Sequence, residues 1–185
     1  MSRILHLDSS ITGDSSVSRI LSARIVDQLR AGDPAAEVVH RDLVATPLDH
    51  LTLAALGDSS VIDEFLASDT IVIGAPMYNF TLPTQLKAWI DRIVIAGKTF
   101  QYGASGAPEG LAGGRRLIIA LSRGGYYGEG SPAAALEHLQ TYLSGVFAFI
   151  GLTPEYVTAD GIAVGPDQRE AGIANGIAEI ERLAA

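Results

Sequence analysis

Three short stretches carry more chemistry than a turn requires. In Gly74-Ala75-Pro76-Met77-Tyr78-Asn79-Phe80, a compact apolar run reaches a proline and is followed by a methionine and two large rings. Turns are ordinarily polar because they face water. Met77, Tyr78 and Phe80 suit a flat apolar ligand with polar edges. Packing of both rings back onto the domain is the plain alternative. The second stretch, Asp8 to Ser18, is rich in hydroxyls and runs into a helix. Free backbone N–H groups and the helix dipole make such a start an anion site. Ser10, Ser16 and Ser18 can add O–H donors around a phosphate. Ordinary N-capping by Ser15 or Ser16 accounts for only one serine. The Gly-x-x-x-x-Gly-Lys-Ser/Thr pattern is absent, so this is not a P-loop. The third stretch is Ser122-Arg123-Gly124-Gly125. Its glycines permit close backbone approach to a ligand or a tight strand-to-helix turn. Arg123 suits either a surface carboxylate or a ligand edge, and the sequence leaves both open.

The elements that would position these stretches alternate between strand and helix signals. Strands are expected at 3–7, 37–41, 70–74, 117–121 and 154–158. Val17, Ile20, Leu21, Ile25 and Leu29 recur at helical spacing, and Gly32, Asp33 and Pro34 end that helix. A weaker helical stretch covers about 52 to 68. Leu82, Leu86, Ile90 and Ile93 form a strong stripe opened by Pro83 and stopped near Gly97. A Gly-rich loop is expected from 97 to 114. Ser131 and Pro132 resemble an N-cap and first-turn proline before Leu139, Leu143, Val146 and Ile150, with Gly151 as the stop. Pro166 opens a last helix carrying Ile173, Ile177 and Ile180. Five apolar strands alternating with helices predict an α/β, three-layer, doubly wound, five-stranded parallel sheet. Right-handed crossovers favour the order 2-1-3-4-5. Ligands then bind beyond the carboxyl ends of the strands at the switch point, where the three stretches would meet.

Composition narrows the function. A length of 185 residues suits a single domain spanning 1–185. A net charge of −8 with one basic pair, Arg115-Arg116, argues against nucleic acid and anionic membranes. No apolar run is long enough for a membrane helix and no secretion signal is visible, so a cytoplasmic location is expected. With no cysteine, disulfides, thiolate nucleophiles and Cys-ligated metals are excluded.

A phosphate end, an aromatic turn and a glycine wall fit a flat ring carrying a ribityl phosphate, which is FMN. The same residues resemble a family. Ser-Ser and Ser-x-Ser in the first loop, Ala-Pro-Met-Tyr-Asn-Phe with Gln85-Leu86-Lys87, Gly97-x-Thr99-Phe100-x-Tyr102, Pro108-Glu109-Gly110-Leu111, Ser122-Arg123-Gly124-Gly125 and Phe149-Ile150-Gly151 are similar to the FMN-dependent NADH:quinone oxidoreductases and azoreductases of flavodoxin-like fold. The resemblance implies that Ser10 and Ser16, Val17 and Ser18 hold the phosphate of tightly but non-covalently bound FMN. It implies that Met77, Tyr78, Asn79 and Phe80 line the isoalloxazine and that Ser122, Arg123, Gly124 and Gly125 wrap its other side. It further implies a homodimer and ping-pong, two-electron transfer from NADH or NADPH to a quinone or azo acceptor. A flavodoxin-like electron carrier without nicotinamide turnover is the alternative. The chain departs from the family pattern in a short segment between strands 2 and 3, about Leu48 to Ser60. It also departs at Asp8, whose acid beside a phosphate is unfavourable; its side chain is expected to turn to a helix dipole or a basic neighbour.

Among other residues, His6 reads as a satisfied core or near-site histidine. His40, His50 and His138 show no spacing with carboxylates that suggests metal, so none is expected. Trp89 reads as core or dimer contact, and so do Phe147 and Phe149. Tyr102, Tyr126 and Tyr127 suit the substrate mouth or a rim without a role. No side chain is assigned as catalytic acid or base, because solvent can supply the protons.

Overall fold

The computed structural model describes residues 2–183; the expected 1–185 domain extends past them at each end. Its elements in chain order are β1 (Arg3–Asp8), α1 (Val17–Gly32), β2 (Glu37–Asp42), α2 (Ser60–Leu66), β3 (Thr70–Pro76), α3 (Thr84–Ile93), β4 (Phe100–Tyr102), β5 (Pro108–Gly110), β6 (Arg116–Ser122), α4 (Gln140–Phe149), β7 (Pro154–Ala159) and α5 (Pro166–Ile180). Five strands form a parallel sheet in the order β2-β1-β3-β6-β7. Counting only these strands, the order is the expected 2-1-3-4-5.

The side-chain period of two divides the sheet between two cores. Ile71, Ile73 and Ala75 of β3 join Leu5, Leu7, Ile119 and Leu121 under α2, α3 and α4, where Phe65, Trp89 and Phe147 are fully buried. Val72 points the other way, with Ile4, Ile118 and Val157. There it meets Leu21 and Ile25 of α1 and Ile180 of α5. Trp89 and Phe147 are therefore core residues. Phe149 is half-buried against the Phe100 ring, 4.6 Å between centroids.

Local signals misplace several boundaries. Only Ser60–Leu66 of the expected 52–68 helix is α-helical, preceded by a 3-10 turn at Ala55–Gly57. α3 stops at Ile93 rather than near Gly97. The 97–114 segment is not all loop: β4 and β5 pair antiparallel through it. Ser131 and Pro132 do not start α4. The Glu137 carboxylate does, accepting from the N–H groups of Leu139, Gln140 and Thr141 at 2.8 to 3.1 Å. Ser131 instead lies in a turn, its N–H donating to the Gly128 carbonyl. Gly151 does terminate α4, with φ of 89° in the left-handed region.

Gly74 lets α1 approach β3 closely beneath the loops of interest. A Cβ there would lie 2.7 Å from Asp8 Oδ1, 3.1 Å from the Ser18 carbonyl and 3.1 Å from Ser22 Oγ. Gly74→Ala should therefore cost about 1–3 kcal/mol, the usual range for overpacking. Chemical denaturation would read this as a lower midpoint at unchanged slope, and an unchanged midpoint would contradict the tight packing.

Candidate functional site

The loops after β1, β3 and β6 leave the same edge of the sheet and enclose one cavity of about 560 Å³. That volume lies within the range of cofactor pockets. Ser10, Ser16, Val17, Met77, Tyr78, Ser122, Arg123 and Gly124 line it. The three stretches, far apart in the chain, thus converge as the strand order requires. Ser18, Asn79, Phe80 and Gly125 do not line the cavity. Ser18 is fully buried behind Ser16, with 3.1 Å between their hydroxyls. Asn79 and Phe80 are exposed at the rim.

The serine loop ends in a working N-cap. Ser16 has extended backbone, and its Oγ accepts from Arg19 N–H. Ile20 N–H donates to the Ser16 carbonyl. The Val17 and Ser18 amides, in the first turn, have no acceptor within the helix. These two N–H groups, with the Ser10 and Ser16 hydroxyls, form a donor-rich end of the cavity suited to an anion. Ser9 serves the fold instead, donating to the Gly74 carbonyl at 2.7 Å.

The aromatic turn closes onto that loop. Tyr78 and Thr81 exchange backbone hydrogen bonds at 2.9 and 3.1 Å. Asn79 and Phe80 between them have φ of 47° and 72°, as a two-residue turn of mirror-image type requires. Asparagine tolerates this region, but a phenylalanine there is strained. The Tyr78 hydroxyl lies 3.0 Å from Ser10 Oγ and accepts from Ile11 N–H at 3.1 Å. One tyrosine thus joins two of the three loops. Phe80 meets the Tyr127 ring edge-on, 6.1 Å between centroids.

Arg123 resolves toward a carboxylate rather than a ligand. It is 4 % exposed, pairs with both Asp160 oxygens at 2.6 and 3.0 Å, and lies 3.7 Å from Glu137. Its charge is neutralised inside the fold, while its body still forms cavity wall. Burial would raise the Glu137 carboxyl, but the backbone N–H groups of Gln140 and Thr141 and the nearby Arg123 outweigh it and hold it below its ordinary value.

Several wall residues escaped the sequence reading. Thr12 and Ser15 add hydroxyls, Ile162 and Ala163 add an apolar wall, and Arg169 adds a cation. Arg169 Nη2 donates to the Ser15 carbonyl at 2.7 Å, which places a positive charge at the anion end. Ile162 and Ala163 lie in the loop after β7, whose small and apolar residues carry no ligand signal of their own.

Asp8 turns from the cavity toward basic neighbours, as expected. Ser22 Oγ donates to its Oδ1 at 2.9 Å, and His40 Nε2 is 3.0 Å from its Oδ2. Burial would raise this carboxyl, but hydrogen bonds with His6, His40 and Ser22 prevail and lower it. Arg19 pairs with Asp42 at 2.8 and 2.9 Å and also donates to the Ser10 carbonyl, bracing the serine loop. The hydrogen bond from Arg19 holds Asp42 far below the ordinary 3.8 against a desolvation cost, helped by the Val44 and Ala45 amides. Both acids have folded pKa values below their unfolded ones. Their contribution to stability is complete above about pH 4 and is lost as pH falls through the folded values. Thermal midpoints should fall on acidification below that point, and Asp42→Asn should flatten the fall. A variant with the wild-type acid slope would contradict this assignment.

The flavodoxin-like fold family model matches residues 2–184. The FMN-dependent NADH:quinone oxidoreductase 2 of Bradyrhizobium diazoefficiens is 58% identical over 193 residues, covering 95% of each chain. An FMN-dependent NADH:quinone oxidoreductase of Xanthomonas campestris pv. campestris is 51% identical over 98% of each chain. The crystal structure of an azoreductase from Bacillus anthracis str. Sterne superposes with a TM-score of 0.88 at 28% identity, covering 97% of each chain.

Proposed function

We propose a function on one premise: the chain belongs to the flavodoxin-like family of FMN-dependent NADH:quinone oxidoreductases and azoreductases. It is an FMN-dependent oxidoreductase that uses NADH to reduce quinones and azo compounds. The observation that carries the site is the cavity with a donor-rich end and an apolar body.

The residues present fit FMN. The Val17 and Ser18 amides, with the Ser10 and Ser16 hydroxyls, take the phosphate, and Arg169 offsets its charge. Ser18 supports Ser16 from behind through its hydroxyl. Met77, Tyr78, Pro76, Ile162 and Ala163 give the ring an apolar bed. Asn79 and Phe80 border it from the rim, and Ser122, Arg123 and Gly124 form the opposite wall, with Gly125 following them outside the cavity lining. Bound FMN would supply two-electron transfer between NADH and the acceptor, and the protein supplies position and electrostatics. Donor and acceptor use the open side of the cavity in turn, which is ping-pong order. No side chain here is assigned as proton donor. A homodimer is part of this reading, on the family resemblance.

Purified chain supplied with FMN, NADH and a benzoquinone tests the reading. NADH consumption well above the free-flavin rate is expected. Consumption at the free-flavin rate would overturn it and leave an electron carrier.

A further inference from the structure

Outside the cavity, the sheet edge gathers a second group of chemical residues. His6 and Asp8 are two apart on β1 and so share a face. His40 on β2 is the register partner of His6. The two rings lie 4.6 Å apart, tilted by 32°. Sequence spacing hid this arrangement because the third member arrives through strand pairing.

We propose that His6 Nε2, His40 Nε2 and Asp8 Oδ2 form a binding site for a zinc-type transition-metal dication. One ligand atom from each of the three residues lies within 4.8 Å of the other two. Asp8 Oδ2 is 3.6 Å from His6 Nε2 and 3.0 Å from His40 Nε2. Ligands about 2.0 Å from tetrahedral zinc stand about 3.3 Å apart, so these edges bracket the required value. Two imidazoles and one carboxylate are a borderline-soft set suited to Zn²⁺ or Co²⁺ rather than Ca²⁺ or Mg²⁺.

The surroundings support the assignment. Ser22 Oγ donates to Asp8 Oδ1 and leaves Oδ2 to the metal, the role of an outer-shell partner. The same hydroxyl is 3.0 Å from His6 Nε2, a contact the metal replaces. Arg19 is the opposing charge, 3.7 Å from Asp8 Oδ2. It is bound on both terminal nitrogens by Asp42 and also donates to the Ser10 carbonyl, so Asp42 balances it. His40 is half-exposed, its side chain at 49%, which gives a metal an entry path and leaves the fourth position open to water. The site stands apart from the flavin reading and survives its failure.

The test is titration of the purified chain with Co²⁺ and Zn²⁺ in the presence of FMN. The background is low, because the chain has no cysteine and four histidines. One equivalent should bind at micromolar or tighter affinity, with the intense visible bands of tetrahedral Co²⁺ and a rise in thermal midpoint. His40→Ala, at a half-exposed position, should weaken binding at least about 100-fold, more than loss of an outer-shell partner usually does. His6→Gln should do the same. Millimolar affinity, the weak bands of octahedral Co²⁺, or unchanged binding in His40→Ala would overturn the proposal.

Discussion

Ser16→Asp should leave the fold intact and cost at least about 100-fold in FMN affinity. Aspartate is as good an N-cap as serine and favours the helix dipole, so Arg19 N–H keeps its acceptor. The new carboxylate, however, would stand at the donor-rich end proposed to take the phosphate. Two unit charges about 4 Å apart near a protein surface repel by roughly 4 kcal/mol, or nearly 10³-fold. Ser16→Asn keeps the cap without the charge and should retain flavin. Fluorescence titration of the three proteins, with thermal midpoints alongside, separates the roles. A Ser16→Asp protein that binds FMN as tightly as wild type would remove the phosphate from this loop. Ser18 is the poorer probe, because its side chain is fully buried and a carboxylate there would threaten the fold itself.

Arg123→Met should lower stability by about 3 kcal/mol without first touching the flavin. The substitution keeps much of the wall but strands Asp160 and Glu137, both half-buried or deeper. Removing one partner of a buried charge pair typically costs about 3–5 kcal/mol, and the partial exposure of Asp160 argues for the lower end. For a chain of this size that is a thermal midpoint lower by roughly 6–12 °C. A midpoint within about 2 °C of wild type would show that solvent already screens the pair. Flavin affinity measured well below the midpoint should change little, because the guanidinium faces Asp160 and Glu137 rather than the cavity.

The sheet is readable because its signals are local. β3 and β6 are continuous apolar runs, and the alternation of strands with helical stripes leaves few arrangements. The convergence of the three loops follows from strand order alone. What stays hidden are features made by contacts across the chain. β4 and β5 are three residues each and mostly exposed, so no periodicity marks them. The start of α4 is misleading because Ser131-Pro132 is a good local signal, whereas Glu137 caps with its long side chain. The Arg123–Asp160 pair spans 37 residues and joins the ends of β6 and β7. Arg169 reaches the serine loop from 154 residues away. Neither pairing has a signature short of the folded sheet. Phe80 is different: its type gives away the aromatic rim, but its left-handed backbone shows only in the folded chain.

A backbone amide map by NMR, with and without one equivalent of FMN, tests the central claim most directly. The account predicts the largest changes at Val17 and Ser18, at Met77 to Phe80, and at Arg123 to Gly125, all saturating together at one flavin per chain. Changes confined to one of these loops, or absent from the amides that open α1, would contradict it.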